Sequence, residues 1–223
     1  MKNPEFFDQT LIYLITEGTA TAQNFSEKKK QILKLIERAV SSGIHLIQIR
    51  EKGLPARFVF ELASEAVKIA RKSKTKILVN DRADLALAAN ADGVHLTSNS
   101  IPTKQIRRSF PPEFIIGVST HSIGEAQKAR TGGADFVIFS PIFATPSKAR
   151  YGKPKGLEKL REVCQRLRDF PVIALGGIDE TNFRKVLKNG ASGFAAIRFL
   201  NNAENLRFLR SEMKRKLSTD EHR

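Results

Sequence analysis

Two hydrophobic rhythms alternate along the chain. Short runs of consecutive apolar residues are separated by longer stretches in which apolar positions recur every three or four residues. The first rhythm suits a strand buried on both faces, and the second an amphipathic helix. The runs at Leu11–Ile15, His45–Ile49, Ile77–Val79, Gly93–Leu96, Phe114–Val118, Ala134–Phe139, Pro171–Leu175 and Ser192–Ile197 predict eight strands. The spacing between and after them predicts helices over Lys28–Ser42, Pro55–Lys72, Ala83–Ala89, Pro102–Arg108, Ser122–Arg130, Gly156–Leu167, Asp179–Lys188 and Glu204–Lys216. Gly43 and Asn189-Gly190 are stop signals, Pro55 and Pro102 suit a first helical turn, and Asp179 is a good N-cap residue. The stretch 140–155 has no helix signal and reads as a long loop.

Strict alternation implies parallel strands joined by right-handed crossovers. Eight units without a linker predict one domain over residues 1–223, a single (β/α)8 TIM barrel of the α/β class. A short N-terminal extension (residues 1 to about 10) and a polar C-terminal tail (about 217–223) complete it; a doubly wound sheet is the alternative. The related tripeptides Ala91-Asp92-Gly93, Gly133-Ala134-Asp135 and Gly190-Ala191-Ser192 open strands four, six and eight. They mark tight helix-to-strand turns on one face of the barrel. The opposite face, at the strand C-termini, is where barrels carry their active sites. Five apolar runs end there in polar clusters: Arg50-Glu51-Lys52, Asn80-Asp81-Arg82, Ser119-Thr120-His121, the loop holding Thr145, Ser147 and Lys148, and Gly176-Gly177.

The composition narrows the class further. With 223 residues, 41% of them hydrophobic, the chain can bury a substantial core. No apolar stretch approaches the roughly 20 residues that span a bilayer, so no membrane partner is expected. The first residues lack a signal peptide's apolar core, which leads to the expectation of a cytoplasmic protein. Cys164 is the only cysteine and lies in a helical pattern, where an inert small hydrophobe is expected. The net charge of +15 and pI near 10.1 invite a nucleic-acid reading. However, the basic residues are spread over many helical faces, and two Tyr with no Trp offer no stacking platform. Nucleic acid is therefore disfavoured, while the charge excess still attracts anionic ligands. A homodimer is admitted; the sequence does not decide the oligomeric state.

Arg50, Lys52 and Lys148 would bring three cations to the mouth, suited to phosphate oxygens. Asp81 is a candidate ligand for Mg2+, with Asn80 beside it as a phosphate donor, although the pair could equally cap the following helix. Gly176-Gly177 before a helix is a phosphate-cradling arrangement. His95 and His121 could act as polar ligands or proton carriers, whereas His45 starts its strand at the opposite end. No Ser-His-Asp order or metal-ligand His/Cys spacing stands out. The inventory suggests substitution at a phosphorylated carbon, or an isomerisation.

Together the motifs Gln48-Ile49-Arg50-Glu51-Lys52, Asn80-Asp81-Arg82, Gly93-Val94-His95-Leu96, Gly117-Val118-Ser119-Thr120-His121, Pro141-Ile142-Phe143-Ala144-Thr145-Pro146-Ser147-Lys148 and Gly176-Gly177-Ile178 resemble the thiamine phosphate synthases and their relatives, the TenI thiazole tautomerases. The resemblance spans about Leu11 to Phe199. It implies a transferase that joins hydroxymethylpyrimidine diphosphate to a thiazole phosphate with release of pyrophosphate. The phosphorylated pyrimidine and thiazole are its small-molecule partners and Mg2+ its cofactor. By the same resemblance, Arg50, Lys52, Asn80 and Lys148 contact the pyrophosphate, and Asp81 binds the metal. Gln48 and His95 lie near the pyrimidine, Ser119, Thr145 and Ser147 line the site, and Gly177 helps hold the thiazole phosphate. Two departures stand out. Ser100 occupies the place of a second metal-binding carboxylate, and Arg198 follows strand eight where a phosphate-binding Ser is usual. The alternatives are a tautomerase in which His121 shuttles a proton, and a non-catalytic phosphate-ligand binder.

Overall fold

The computed structural model describes residues 4–145 and 153–220. Eight strands, β1 (Leu11–Ile15), β2 (Leu46–Ile49), β3 (Lys76–Asn80), β4 (Gly93–Leu96), β5 (Ile115–Thr120), β6 (Phe136–Phe139), β7 (Val172–Leu175) and β8 (Gly193–Ala196), pair in chain order into a closed barrel. Every neighbouring pair is parallel, including β8 with β1. A short helix, α1 (Pro4–Phe7), precedes β1. The helices α2 (Phe25–Ser41), α3 (Ala56–Ala70), α4 (Ala83–Ala88), α5 (Thr103–Ser109), α6 (Ile123–Thr131), α7 (Gly156–Arg166), α8 (Phe183–Lys188) and α9 (Ala203–Asp220) each follow a strand. The predicted (β/α)8 barrel is therefore the fold. No helix among the described residues is long and apolar enough to cross a membrane.

Strand parity divides the core in two. Ile12, Leu14, Ile47, Val79, Val94 and Val137 face outward and pack with the apolar stripes of the helices. Leu11, Tyr13, Ile15, Leu46, Leu78, Ile115, Phe136, Ile138, Ile173 and Ala195 fill the barrel interior. Phe7, on α1, joins this inner set, with its ring 6.1 Å from that of Phe136. The short N-terminal extension thus places an apolar side chain in the barrel core. Inside the barrel, Gly193 makes room for its neighbour: a Cβ there would fall 2.1 Å from the Leu11 carbonyl oxygen.

At the foot of the barrel one contact recurs four times. His45 Nδ1 accepts the N–H of Ile12 at 3.1 Å, Asp92 Oδ2 that of Ile77 at 2.8 Å, Asp135 Oδ2 that of Ile116 at 2.7 Å, and Ser192 Oγ that of Val172 at 3.3 Å. In each case the residue's own N–H returns to the carbonyl of the same partner. The residue before each even-numbered strand thus latches the preceding odd-numbered strand through both main chain and side chain. This gives the repeated tripeptides their physical role, and His45 serves the same role without belonging to their pattern. Lys76 reinforces Asp92 at 2.9 Å and Arg107 reinforces Asp135 at 2.5 Å.

Some boundaries differ from the sequence reading. His45 precedes β2 rather than starting it, because its side chain is turned back to β1. Helix α8 begins at Phe183, not near Asp179. Asp179 Oδ1 instead accepts from the N–H and hydroxyl of Thr181 and stabilises a turn ahead of the helix. Helix α9 runs on to Asp220. Cys164 is half-buried, and burial pushes its thiol up to about 12, as suits a packing residue.

Two stability predictions follow from this packing. Gly193→Ala should cost about 1–3 kcal/mol, because its methyl group meets backbone that cannot turn aside; the midpoint of urea unfolding measures this. Burial lowers the His45 pKa to about 4, against about 6.5 for an unfolded ring. The folded state therefore binds fewer protons between those values, and stability falls as pH drops through 6.5 and continues to fall towards 4. By pH 5 the His45 share of this loss should be on the order of 2 kcal/mol. His45→Gln, which keeps an acceptor but does not titrate, should flatten the slope in unfolding curves recorded from pH 7 to 5.

Candidate active site

The inward parity of the strands carries several predicted site residues into one layer above the apolar interior. Gln48 pairs in register with Ile15 and Leu78, Asn80 with His95, and His95 with Gly117. Gln48 and His95 are 1% and 2% exposed, so they are interior groups rather than rim groups. His95 Nε2 lies 2.9 Å from Ser119 Oγ, one strand away. Burial first, and the neighbouring Arg50 charge second, push the His95 pKa down to about 3. The ring is therefore a neutral imidazole at neutral pH, able to orient a ligand but not to act as a cation.

Three polar atoms in this part of the barrel have no hydrogen-bond partner among the described residues: Gln48 Nε2, His95 Nδ1 and Tyr13 Oη. Buried polar groups are seldom left in this state, and each costs stability. Tyr13 is fully buried, and its ring meets that of His95 edge-on at a centroid distance of 5.8 Å. Burial also raises its pKa well above the usual phenol value, so the hydroxyl keeps its proton. Tyr13 was not among the residues singled out from sequence. Its signal was a tyrosine in the middle of an apolar strand, because a buried phenol normally seeks a polar partner.

Above this layer lies the charged rim. Arg50 is half-buried, and its N–H donates to Thr16 Oγ1 at 2.8 Å. Lys52 is exposed two residues further on. Between them Glu51, only 5% exposed, turns inward and accepts the N–H groups of Gly18 at 3.1 Å and Ala20 at 2.9 Å. This carboxylate thus holds the β1–α2 loop beside Arg50. Sequence reasoning gave Glu51 no role of its own; a charge inside a polar cluster does not reveal that it is buried.

Asp81 is exposed at the end of β3, with a left-handed backbone (φ 63°) that Asp tolerates better than most residues. Its N–H donates to the His95 carbonyl at 2.9 Å. Ser100, in the loop after β4, donates its hydroxyl to Asp81 Oδ1 and accepts the Thr97 N–H at 2.7 Å. The two residues expected at the metal position are thus in direct contact. Among the described residues, no group of three His, Cys, Asp or Glu converges as a metal site. One carboxylate is still enough for Mg2+ when phosphate oxygens supply further ligands, so the donor set fits a cation shared with a diphosphate.

The remaining candidates lie around the same mouth. His121 Nδ1 is 2.8 Å from the Ser140 carbonyl, and its N–H donates to Glu125 Oε2 at 2.7 Å. A carbonyl oxygen only accepts, so Nδ1 donates to it. Gly176 and Gly177 have positive φ (108° and 63°), and a Cβ on Gly177 would lie 2.6 Å from the Ala144 carbonyl. The glycines therefore let β7 approach the loop after β6. The helix expected directly after them begins only at Phe183, so any cradle here is formed by the loop backbone rather than by a helix start. Thr145 is half-buried, and Arg198 is exposed just after β8. Ser147 and Lys148 lie outside the described residues.

Replacing Glu51 with Gln leaves one acceptor for two N–H groups and turns an amide donor towards one of them. Glu51→Gln should cost about 1–3 kcal/mol. It should also speed hydrogen exchange at the Gly18 and Ala20 amides relative to those of β1; amide exchange followed by NMR checks both effects.

Comparison with known proteins bears on this geometry. A family model described as thiamine monophosphate synthase matches residues 12–200. A thiamine-phosphate synthase of Roseiflexus sp. is 37% identical over 187 residues, covering 84% of this chain and 76% of that one. One from Methanocella arvoryzae is 42% identical over 164 residues, covering 74% and 77%. The solved thiamine phosphate pyrophosphorylase from Pyrococcus furiosus superposes with a TM-score of 0.76 at 30% identity, covering 92% of this chain and 98% of that one. The chain belongs to the thiamine monophosphate synthase family.

Proposed function

We propose that this protein is a thiamine-phosphate synthase, a transferase that joins hydroxymethylpyrimidine diphosphate to thiazole phosphate and releases pyrophosphate. The observation that carries the reading is one of layering. A cationic rim, Arg50 and Lys52 beside Asp81, stands over a neutral interior layer in which Tyr13, Gln48 and His95 each hold an unpartnered polar atom. The rim suits a diphosphate, and the layer beneath suits an aminopyrimidine ring that presents both donors and acceptors. The names of the relatives favour the transferase over the tautomerase.

In the reaction, the bond between the pyrimidine methylene carbon and the diphosphate oxygen breaks, and its electron pair leaves with pyrophosphate. The thiazole nitrogen then supplies the pair for the new carbon–nitrogen bond. Neither step requires a proton transfer, which accords with a neutral His95. Arg50 and Lys52 would stabilise the charge gathering on the leaving group, with Lys148 a third cation from the loop after β6. Asn80 would donate to the same oxygens. Mg2+ held by Asp81 would add Lewis-acid stabilisation of the departing pyrophosphate. Tyr13, Gln48 and His95 would fix the pyrimidine ring, with Ser119 holding His95 in place. Thr145, Ser147, Gly177 and Arg198 would receive the thiazole phosphate.

The direct test mixes the purified protein with both substrates and Mg2+ and measures thiamine phosphate and pyrophosphate. The two should appear in equal amounts, and a product signal no higher than the protein-free control would overturn the proposal. Arg50→Ala should lower kcat/KM by roughly 10²–10³-fold.

A further inference from the structure

A column of rings runs up the barrel interior from α1 to His95. His95 on β4, Gly117 on β5 and Phe136 on β6 are register partners in one row across three strands. The middle position carries no side chain, and the two rings close over it. A Cβ on Gly117 would fall 2.3 Å from Phe136 Cζ and 2.8 Å from His95 Nδ1. The His95 and Phe136 ring centroids are 6.1 Å apart. Tyr13, from β1, lies 5.8 Å from His95 and 5.7 Å from Phe136, edge-on to both. Below this triangle Phe7 meets Phe136 at 6.1 Å, and Phe6 stands edge-on to Phe7 at 5.1 Å. Among the described residues, the His95 ring has one hydrogen-bond partner, Ser119 Oγ. One hydrogen bond leaves the imidazole free to tilt about it, so the tilt is set by the rings packed against its faces and edges.

We infer that Phe136 is a positioning residue that sets the tilt of the His95 imidazole, and that α1, through Phe7, is the base plate on which Phe136 rests. A helix ahead of the barrel is then part of the construction of the site at the other end. Phe136 is wholly buried, and an interior packed at crystal-like density passes a displacement on to its neighbours. Without the Phe7 ring, Phe136 settles towards the foot, and His95 loses the neighbour that holds it over Gly117. The effect on turnover rests on the reading of His95 as a pyrimidine contact proposed above; the effect on the ring itself does not.

Two measurements on the full chain test it. NMR of the imidazole C–H groups in the ligand-free protein reports on His95 directly, with His121, which lies outside the column, as the control. Phe7→Ala should shift the His95 signals and leave those of His121 in place, although Phe7 reaches His95 through Phe136. Phe136→Leu should shift them further. In turnover, Phe136→Leu should raise the KM for the pyrimidine diphosphate about 10-fold and Phe7→Ala about 3-fold, with the KM for thiazole phosphate unchanged. A protein that is merely less stable loses kcat through loss of folded enzyme and moves neither KM. His95 signals that stay in place in the folded variants would overturn the inference. So would a pyrimidine KM that holds steady while those signals move, or a thiazole phosphate KM that rises equally. If Phe136→Leu does not fold by circular dichroism, Phe7→Ala, altered in the helix ahead of the barrel, decides. If the unmodified protein makes no thiamine phosphate, the synthase reading fails and the NMR comparison alone decides the positioning role.

Discussion

The barrel depends on a polar acceptor placed before every second strand. A closed parallel sheet leaves strand-start N–H groups at its foot, and buried N–H groups must be paired. Here His45, Asp92, Asp135 and Ser192 answer four of them, each also returning its own N–H to the same neighbour. The polar groups of the foot are thereby committed to holding strands together. Those at the mouth include atoms without such obligations, and the difference separates structural from chemical polarity on one fold.

The same contrast explains how much could be read in the chain. Eight strands, their order and the polar clusters at their ends follow from periodicity and punctuation. Parity does not, because a parallel strand is apolar on both sides and its sequence shows no alternation. Tyr13 inside the barrel and Ile12 outside it look alike in the string Leu11-Ile12-Tyr13-Leu14-Ile15. For the same reason Gln48 and His95 were legible as strand-end polar residues but not as an enclosed layer. Glu51, in a run of three charged residues, has a burial that only the folded β1–α2 loop creates. The glycine pair was legible as a close approach, but what approaches is the loop after β6, far away in sequence.

The electrostatics of the mouth are graded with depth. At the rim, Arg50, Lys52 and Asp81 carry formal charge. One layer below, burial keeps Tyr13 protonated and His95 neutral, and the Arg50 charge reinforces the neutrality of His95. Such a gradient suits a ligand with an anionic end and a heteroaromatic end, as the proposed substrate has. The unpartnered atoms of the inner layer weaken the empty protein slightly, a cost common at sites shaped for a ligand.

His45 at the foot and Gln48 and Arg50 at the mouth stand on the same short segment of chain, a single strand apart. Protonation of His45 Nδ1 takes the acceptor away from the Ile12 N–H, so acid acts on the pairing of β2 with β1 at the foot. Gln48 and Arg50 stand on the continuation of that same strand, so an acid-sensitive seam of the barrel lies directly below its polar mouth.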